Sequence, residues 1–197
     1  MTIRPRIFGV DLDGVCIRIA PTFALAAKAC GYQEELDYTQ YWMGIPPNLR
    51  TPVQNYMVVS GLIQTLPAYP CAAAAVKQLQ DAGHNVVFVT ARGRGHTGTD
   101  SDLKETIELI TYQWLADNNF SVQRPIIFTA DKRAAAQDFG IDVMVEDCLE
   151  TAESFLGTDI KCYLVDRPWN GGLYIPFGEY DYPWRIRLLT DLLALLE

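Results

Sequence analysis

The sequence predicts an α/β protein: a three-layer fold with a Rossmann-like parallel sheet and a small helical cap inserted after the first strand. Two observations carry this. From about residue 70 onward, short β-branched runs alternate with helical patterns, the rhythm of βαβ units. Residues 15–69 break that rhythm, and a connection of roughly 50 residues is far longer than an ordinary βα loop.

RIFGV is the first strand. After it come a helical pattern, PTFALAAKAC, a proline-punctuated aromatic segment, DYTQYWMGIPPNLRTPVQNYM, and the run VVSGLIQTL, which together read as the cap. Pro70 at the first helical position and Gly83 at the stop bracket CAAAAVKQLQDA as a helix. HNVVFVT then reads as a buried strand. Ser101 or Asp102 caps a helix whose apolar positions Leu103, Ile107, Ile110 and Trp114 fall at helical spacing, and the strand PIIFTA follows. Asp131 caps the helix KRAAAQDF and Gly140 ends it; IDVMV is a strand, CLETAESFL a short helix and KCYLV the fifth and last strand. The core is therefore expected over residues 1–14 and 70–197 and the cap over 15–69. The tail WRIRLLTDLLALLE is too short to cross a bilayer and reads as a docked terminal helix, with a homodimer contact as the alternative use of its leucine face.

Composition bounds the function. A chain of 197 residues with 49% hydrophobic and 20% charged residues buries a full core and carries no disordered tract. A net charge of −8 disfavours polymeric nucleic acid, since no basic face is available to release counterions, while leaving room for a small anion at one local positive site. Five scattered cysteines, odd in number and without a CxxC pair, read as reduced thiols of a cytoplasmic protein. The beginning of the chain lacks the apolar stretch of a signal peptide, and no segment approaches the length of a membrane span.

In open α/β sheets, ligands bind beyond the carboxyl ends of the strands, so the residues that follow each apolar run matter most. They are Asp11 and Asp13 after the first strand, Thr90 after the second, Lys132 just beyond the third, and Glu146 with Asp147 after the fourth. Asp11 and Asp13 would point the same way in extended chain and repel. Asp13-Gly14 between Val10 and Val15 also fits a type I′ hairpin, in which the aspartates merely shape a turn. Four acids at one sheet edge would need a cation, and hard oxygen ligands suit Mg²⁺. Lys132 falls in the first turn of its helix, where the dipole disfavours a cation, which points to an anion to be held. Thr90, with the backbone N–H groups of Ala91 and Arg92 behind it, offers a hydroxyl and a small nest for phosphate oxygens.

Taken in order, VDLDGV, VFVTAR, the lysine of TADKR and VEDCLE closely resemble the four motifs of haloacid dehalogenase-like (HAD) phosphohydrolases, across the whole sheet domain. The resemblance implies that Asp11 attacks phosphorus and forms an aspartyl-phosphate, and that Asp13 is the general acid and base. It implies Mg²⁺ held by the Asp11 carboxylate, the Asp13 backbone carbonyl and Asp147, with Thr90 and Lys132 fixing the phosphoryl oxygens. Glu146 stands where the family often has aspartate and is placed behind the direct ligands; which of Glu146 and Asp147 touches the metal stays open.

The cap-bearing layout also resembles the 5′(3′)-deoxyribonucleotidase branch, which implies a nucleoside monophosphate as substrate. The aromatics Phe23, Tyr41, Trp42 and Tyr56 are then candidates for stacking on the base, and VDRPWN after the last strand resembles a late motif of that branch. Another small ester, such as a sugar phosphate, is the runner-up. A reading of another class comes from GRGHTG, residues 93–98, which matches the GxGxxG of dinucleotide-binding proteins but follows the second strand rather than the first. On the phosphatase reading those glycines let the chain approach the phosphate, with Arg92 and Arg94 as solvated or substrate-facing cations. His84 and His96 are too few for a histidine-rich zinc site, and no GxSxG elbow is present.

Overall fold

The computed structural model describes residues 4–94, 101–171 and 184–194. Within them six strands form one parallel sheet: β1 (Ile7–Val10), β2 (Asn85–Thr90), β3 (Ile127–Phe128), β4 (Val143–Glu146), β5 (Lys161–Val165) and β6 (Trp184–Ile186). Their order is β3-β2-β1-β4-β5-β6. The chain steps outward from β1 to β3, then crosses back to lay β4 on the other side of β1, so the β1/β4 boundary is the topological switch point.

Alternating strand residues feed two apolar layers, as the two-residue period of a strand requires. Phe8, Val10, Val86, Phe88, Val143 and Val145 face one layer. It is completed by α3 (Ala72–Asp81) and α4 (Ser101–Asp117), through Ala75, Val76, Leu79, Ile110, Trp114 and Leu115. Val87, Val89, Met144 and Leu164 face the other, against Ala136 of α5 (Lys132–Asp138) and Ala152 of α6 (Leu149–Ser154). Gly9 of β1 belongs to this second face, where the approach is close. A Cβ there would lie 2.7 Å from Met144 Sδ and 2.9 Å from Ile141 Cδ1.

The residues between β1 and α3 are helical: α1 (Ala20–Ala29), a 3₁₀ turn at Tyr41–Gly44, α2 (Pro47–Val59) and a second 3₁₀ turn at Leu62–Thr65. Phe23, Ala26, Ala27, Val53, Met57 and Ile63 bury their side chains in the same apolar layer as the sheet. The chain enters and leaves this segment side by side. Ile17 bridges Ala68 antiparallel, Arg18 N–H donates to Pro67 O at 2.8 Å and Tyr69 N–H to Cys16 O at 2.8 Å.

Three details differ from the sequence expectation. Asp13-Gly14 is not a hairpin: both partners of β1 are parallel, and the turn is closed locally by Gly14 N–H on Ile17 O (2.9 Å) and Cys16 N–H on Leu12 O (2.8 Å). The helix expected from Pro70 begins at Ala72. Pro70 instead lies in a turn closed by Ala72 N–H on Tyr69 O (3.2 Å), and Cys71 is left-handed at φ 64°. The tail expected to be a terminal helix starts as β6, a sixth strand, followed by a short helix, α7 (Asp191–Ala194). β6 satisfies the outer edge of β5, and Trp184 seats edge-on against Tyr163 with ring centroids 5.4 Å apart. Three residues are too few for a strand period to show in sequence. All five cysteines are free thiols, and no helix among the described residues is long and apolar enough to cross a membrane.

The close approach at Gly9 makes it a sensitive position. Gly9→Val overpacks the second layer and should destabilise the protein by about 1–3 kcal/mol, seen as a lower urea midpoint at unchanged m-value.

Candidate active site

Each strand end is held where it can contribute. Asp11 lies one residue past β1, yet its N–H still donates to Val145 O at 3.0 Å, so the ladder fixes its backbone. Thr90 ends β2, Glu146 ends β4 and Asp147 follows it. Lys132 is the first residue of α5, whose cap Asp131 accepts from Ala134 N–H at 2.9 Å. These residues, with Asp13, Ala91 and Arg92, line one cavity of about 290 Å³. Phe23, Trp42, Gln54 and Asn55 from the helical segment also line it.

At its floor Lys132 Nζ donates to Asp11 Oδ1 at 2.6 Å and to Glu146 Oε1. Glu146 is fully buried and accepts in addition from the N–H groups of Asp147 (3.2 Å) and Cys148 (3.3 Å). Carboxylate oxygens of Asp11, Glu146 and Asp147 all lie within 4.8 Å of one another. Three buried carboxylates thus face one ammonium. The imbalance shows in their proton affinities. Burial pushes the Asp11 carboxyl well up, Lys132 opposes, and the charges of Glu146 and Asp147 add to the rise. Burial, then the Glu146 charge, raises Asp147 to about 7. For Lys132 burial works downward but is overridden by Asp11 and Glu146, so it stays an ammonium. A divalent cation on these hard oxygens would remove the imbalance, and the donor set fits Mg²⁺.

The second carboxylate of the motif is handled separately. Arg92 grips Asp13 in a two-armed fork, Nε to Oδ2 at 2.7 Å and Nη2 to Oδ1 at 2.5 Å. Its backbone N–H donates to Thr90 Oγ1 at 3.3 Å, which leaves the threonine hydroxyl proton to donate elsewhere. Asp147 is braced from the loop after β5: Trp169 Nε1 donates to its Oδ2 at 2.9 Å and Asn170 Nδ2 to its carbonyl at 2.9 Å. From the same loop Arg167 Nε donates to Gly14 O at 2.5 Å, its guanidinium lying 3.9 Å over the Tyr69 ring. Gly14 is left-handed at φ +87°, and a Cβ on it would fall 2.1 Å from Asp147 Oδ2. The glycine of DLDG is therefore demanded by both backbone and neighbour.

Of the residues singled out in the sequence, Asp11, Asp13, Thr90, Ala91, Arg92, Lys132, Glu146 and Asp147 meet in this cavity, and Phe23 and Trp42 line it with rings 5.4 Å apart, edge to face. Tyr56 does not. Its neighbours Gln54, Asn55, Met57 and Val58 turn to the cavity, while Tyr56 lies on the opposite side of α2 and is 41% exposed. The Tyr41 side chain, those of Ser101 and Asp102, and residues 95–98 of GRGHTG lie outside the described residues. Arg94 pairs with Glu108 of α4. Sequence reasoning missed the grip of Arg92 on Asp13 and the bracing by Trp169, Asn170 and Arg167. The first left a signal: Val10 pairs with Phe88, so Asp13 and Arg92 sit three and four residues beyond paired positions on adjacent strands.

Comparison with known proteins agrees with this architecture. Residues 5–173 match the family described as 5′ nucleotidase, deoxy (Pyrimidine), cytosolic type C protein. "Putative nucleotidase OB0422" of Oceanobacillus iheyensis is 27% identical over 108 residues, 53% of this chain and 52% of that protein, so the match spans about half the length of the relative. The haloacid dehalogenase-like hydrolase SP0104 of Streptococcus pneumoniae superposes with a TM-score of 0.67 at 13% identity, over 98% of this chain and 99% of that one. A D,D-heptose 1,7-bisphosphate phosphatase from B. bronchiseptica, solved with magnesium and phosphate, does so at 0.57 and 16% identity, over 97% of both chains. At such identities the structural likeness speaks for the fold.

The contact between Gly14 and Asp147 can be tested directly. Gly14→Ala should displace the Asp147 carboxylate and lower Mg²⁺ or Mn²⁺ affinity by about tenfold or more in calorimetric titration, about 1.4 kcal/mol or more, with the far-ultraviolet dichroism of the sheet and helices retained.

Proposed function

This chain belongs to the 5′ nucleotidase, deoxy (Pyrimidine), cytosolic type C protein family, and from that premise we propose that it is a Mg²⁺-dependent phosphomonoesterase acting on a nucleoside monophosphate through an aspartyl-phosphate. Family and architecture support a phosphomonoester hydrolase with a HAD-like fold. The observation that carries the Mg²⁺-dependent, aspartyl-phosphate reading is the buried floor of the cavity. There Asp11 is pinned by Lys132 beside Glu146 and Asp147, with Asp13 and Thr90 in the same space.

The residues divide the work as follows. Asp11 attacks phosphorus, forming a bond from its carboxylate oxygen as the ester P–O bond breaks. The electron pair goes to the leaving oxygen, which takes a proton from Asp13. Water then attacks the phosphoryl group, gives its proton to Asp13, and the Asp11–phosphorus bond breaks to release phosphate. Lys132 holds Asp11 in place and presents positive charge to the phosphoryl oxygens, and the Thr90 hydroxyl donates to one of them. Asp11, Asp147 and the Asp13 carbonyl would hold Mg²⁺, with Glu146 behind Lys132, and the bound ion would neutralise charge on the phosphoryl group.

Residues 15–69 serve in this reading as the cap over the leaving group. Its support is the contrast between floor and roof: charged side chains below, and Phe23, Trp42, Gln54 and Asn55 above. Rings and amides suit a nucleobase better than a bare sugar. Trp42 and Met43 are successive left-handed residues at φ 64° and 52°, a strained backbone held at the cavity wall.

Phosphate release measured across nucleoside monophosphates and sugar phosphates tests the substrate assignment. Nucleotides should turn over fastest, and a sugar phosphate with the higher kcat/KM would transfer the assignment to that ester. Chelation with EDTA should abolish turnover and added Mg²⁺ restore it. Asp11→Asn should lose on the order of 10⁴-fold in kcat while keeping the wild-type far-ultraviolet dichroism; full activity in that variant would refute the nucleophile.

A further inference from the structure

Among the described residues two cations reach the floor of the cavity, and they serve different carboxylates. Lys132 is committed to Asp11 and Glu146, and Arg92 to Asp13. The Arg92 pair is asymmetric in depth: its guanidinium side chain is 6% exposed, whereas that of Asp13 is 31% exposed. Arg92 therefore stands behind Asp13, and Asp13 looks into the cavity. All three guanidinium nitrogens of Arg92 are engaged. Nε and Nη2 grip the two carboxylate oxygens, Nη1 donates to Thr111 Oγ1 at 3.5 Å, and Thr111 spends its own proton on Ile107 O at 2.6 Å.

The fork also distinguishes two chemical states of Asp13. A carboxylate offers both oxygens as full acceptors; the neutral acid, carrying its proton on one of them, offers one. The second arm gains its full strength only as the proton leaves Asp13 for the ester oxygen. An interaction that grows along the reaction lowers the barrier, whereas one that is constant does not. We infer that Arg92 is a positioning residue that holds Asp13 by both carboxylate oxygens and aims it at the leaving ester oxygen. This rests on the assignment of Asp13 as proton donor and extends it to a residue that does not touch the reacting atoms.

The requirement for a proton depends on the leaving group, and that supplies the test. The alkoxide leaving from a nucleoside 5′-monophosphate needs one; the phenolate leaving from p-nitrophenyl phosphate does not. Read as the single-turnover rate of leaving-group release, which excludes the water-attack step common to both substrates, Arg92→Lys and Arg92→Met should lose about 10²-fold on the nucleotide and less than about tenfold on p-nitrophenyl phosphate, with KM for each substrate within a few fold of wild type. Arg92→Lys should recover little, because an ammonium cannot form the fork. It also carries the comparison if Arg92→Met does not fold. On the nucleotide, the double variant Arg92→Lys/Asp13→Asn should lose no more than Asp13→Asn alone. Equal losses on both substrates in the Arg92 variants, or a large rise in KM for both, would overturn the inference and make Arg92 a structural or phosphate-binding residue. The Asp13→Asn variant separates the two levels. If it discriminates between the substrates while the Arg92 variants do not, the inference alone falls; if it does not discriminate, the donor assignment falls and the inference with it.

Discussion

Like charges packed at the β1/β4 boundary are the constraint to which the rest of the site answers. Asp11, Glu146 and Asp147 sit close together away from water, a placement that costs free energy unless each oxygen finds a donor. Lys132 answers for two of them, the backbone N–H groups of Asp147 and Cys148 for part of Glu146, and the indole of Trp169 for Asp147. The sheet order makes this possible, because only at the switch point do two adjacent strands send their following loops to opposite sides and leave a crevice between them. Stability and chemistry pull in opposite directions here. The fold tolerates the crowding because the Lys132 ammonium and the surrounding N–H donors oppose it.

The two aspartates of the first motif, two residues apart, end in different electrostatic surroundings. Asp11 is buried among other acids and tied to an ammonium, while Asp13 is half open to the cavity and clasped by a guanidinium. On the proposed mechanism the two places suit two tasks: a nucleophile is held in place, and a proton carrier has to reach the leaving oxygen and change state. The chain separates these demands with Leu12, which is fully buried and anchors the turn between them, its carbonyl accepting from both Cys16 and Ile17 at 2.8 Å.

Most of the sheet and the floor of the site could be read from the sequence, because both depend on local order: an apolar run, then the residue that follows it. Asp11, Thr90, Lys132, Glu146 and Asp147 were visible on that basis alone. What the sequence did not disclose depends on register between distant segments. The contact of Trp169 with Asp147 requires the loop after β5 to fold back over the end of β4, and the burial of Arg92 requires β1 and β2 to be aligned with Val10 against Phe88. β6 escaped notice because three residues at a sheet edge carry no legible alternation, and the leucines that follow suggest a helix. Tyr56 looked as good a candidate for the cavity as Trp42, since an aromatic residue in a helical stretch does not announce which side of the helix will be covered.

The antiparallel contact between Ile17 and Ala68 joins the two ends of a segment some fifty residues long within a single backbone hydrogen bond of each other. For the sheet, that whole segment is closed like the neck of a bag: it leaves and returns at one point, while its apolar residues stay part of the layer that covers the strands. The acids on the floor belong to the ends of the strands, and the rings and amides above them come from a loop whose two ends are pinned together.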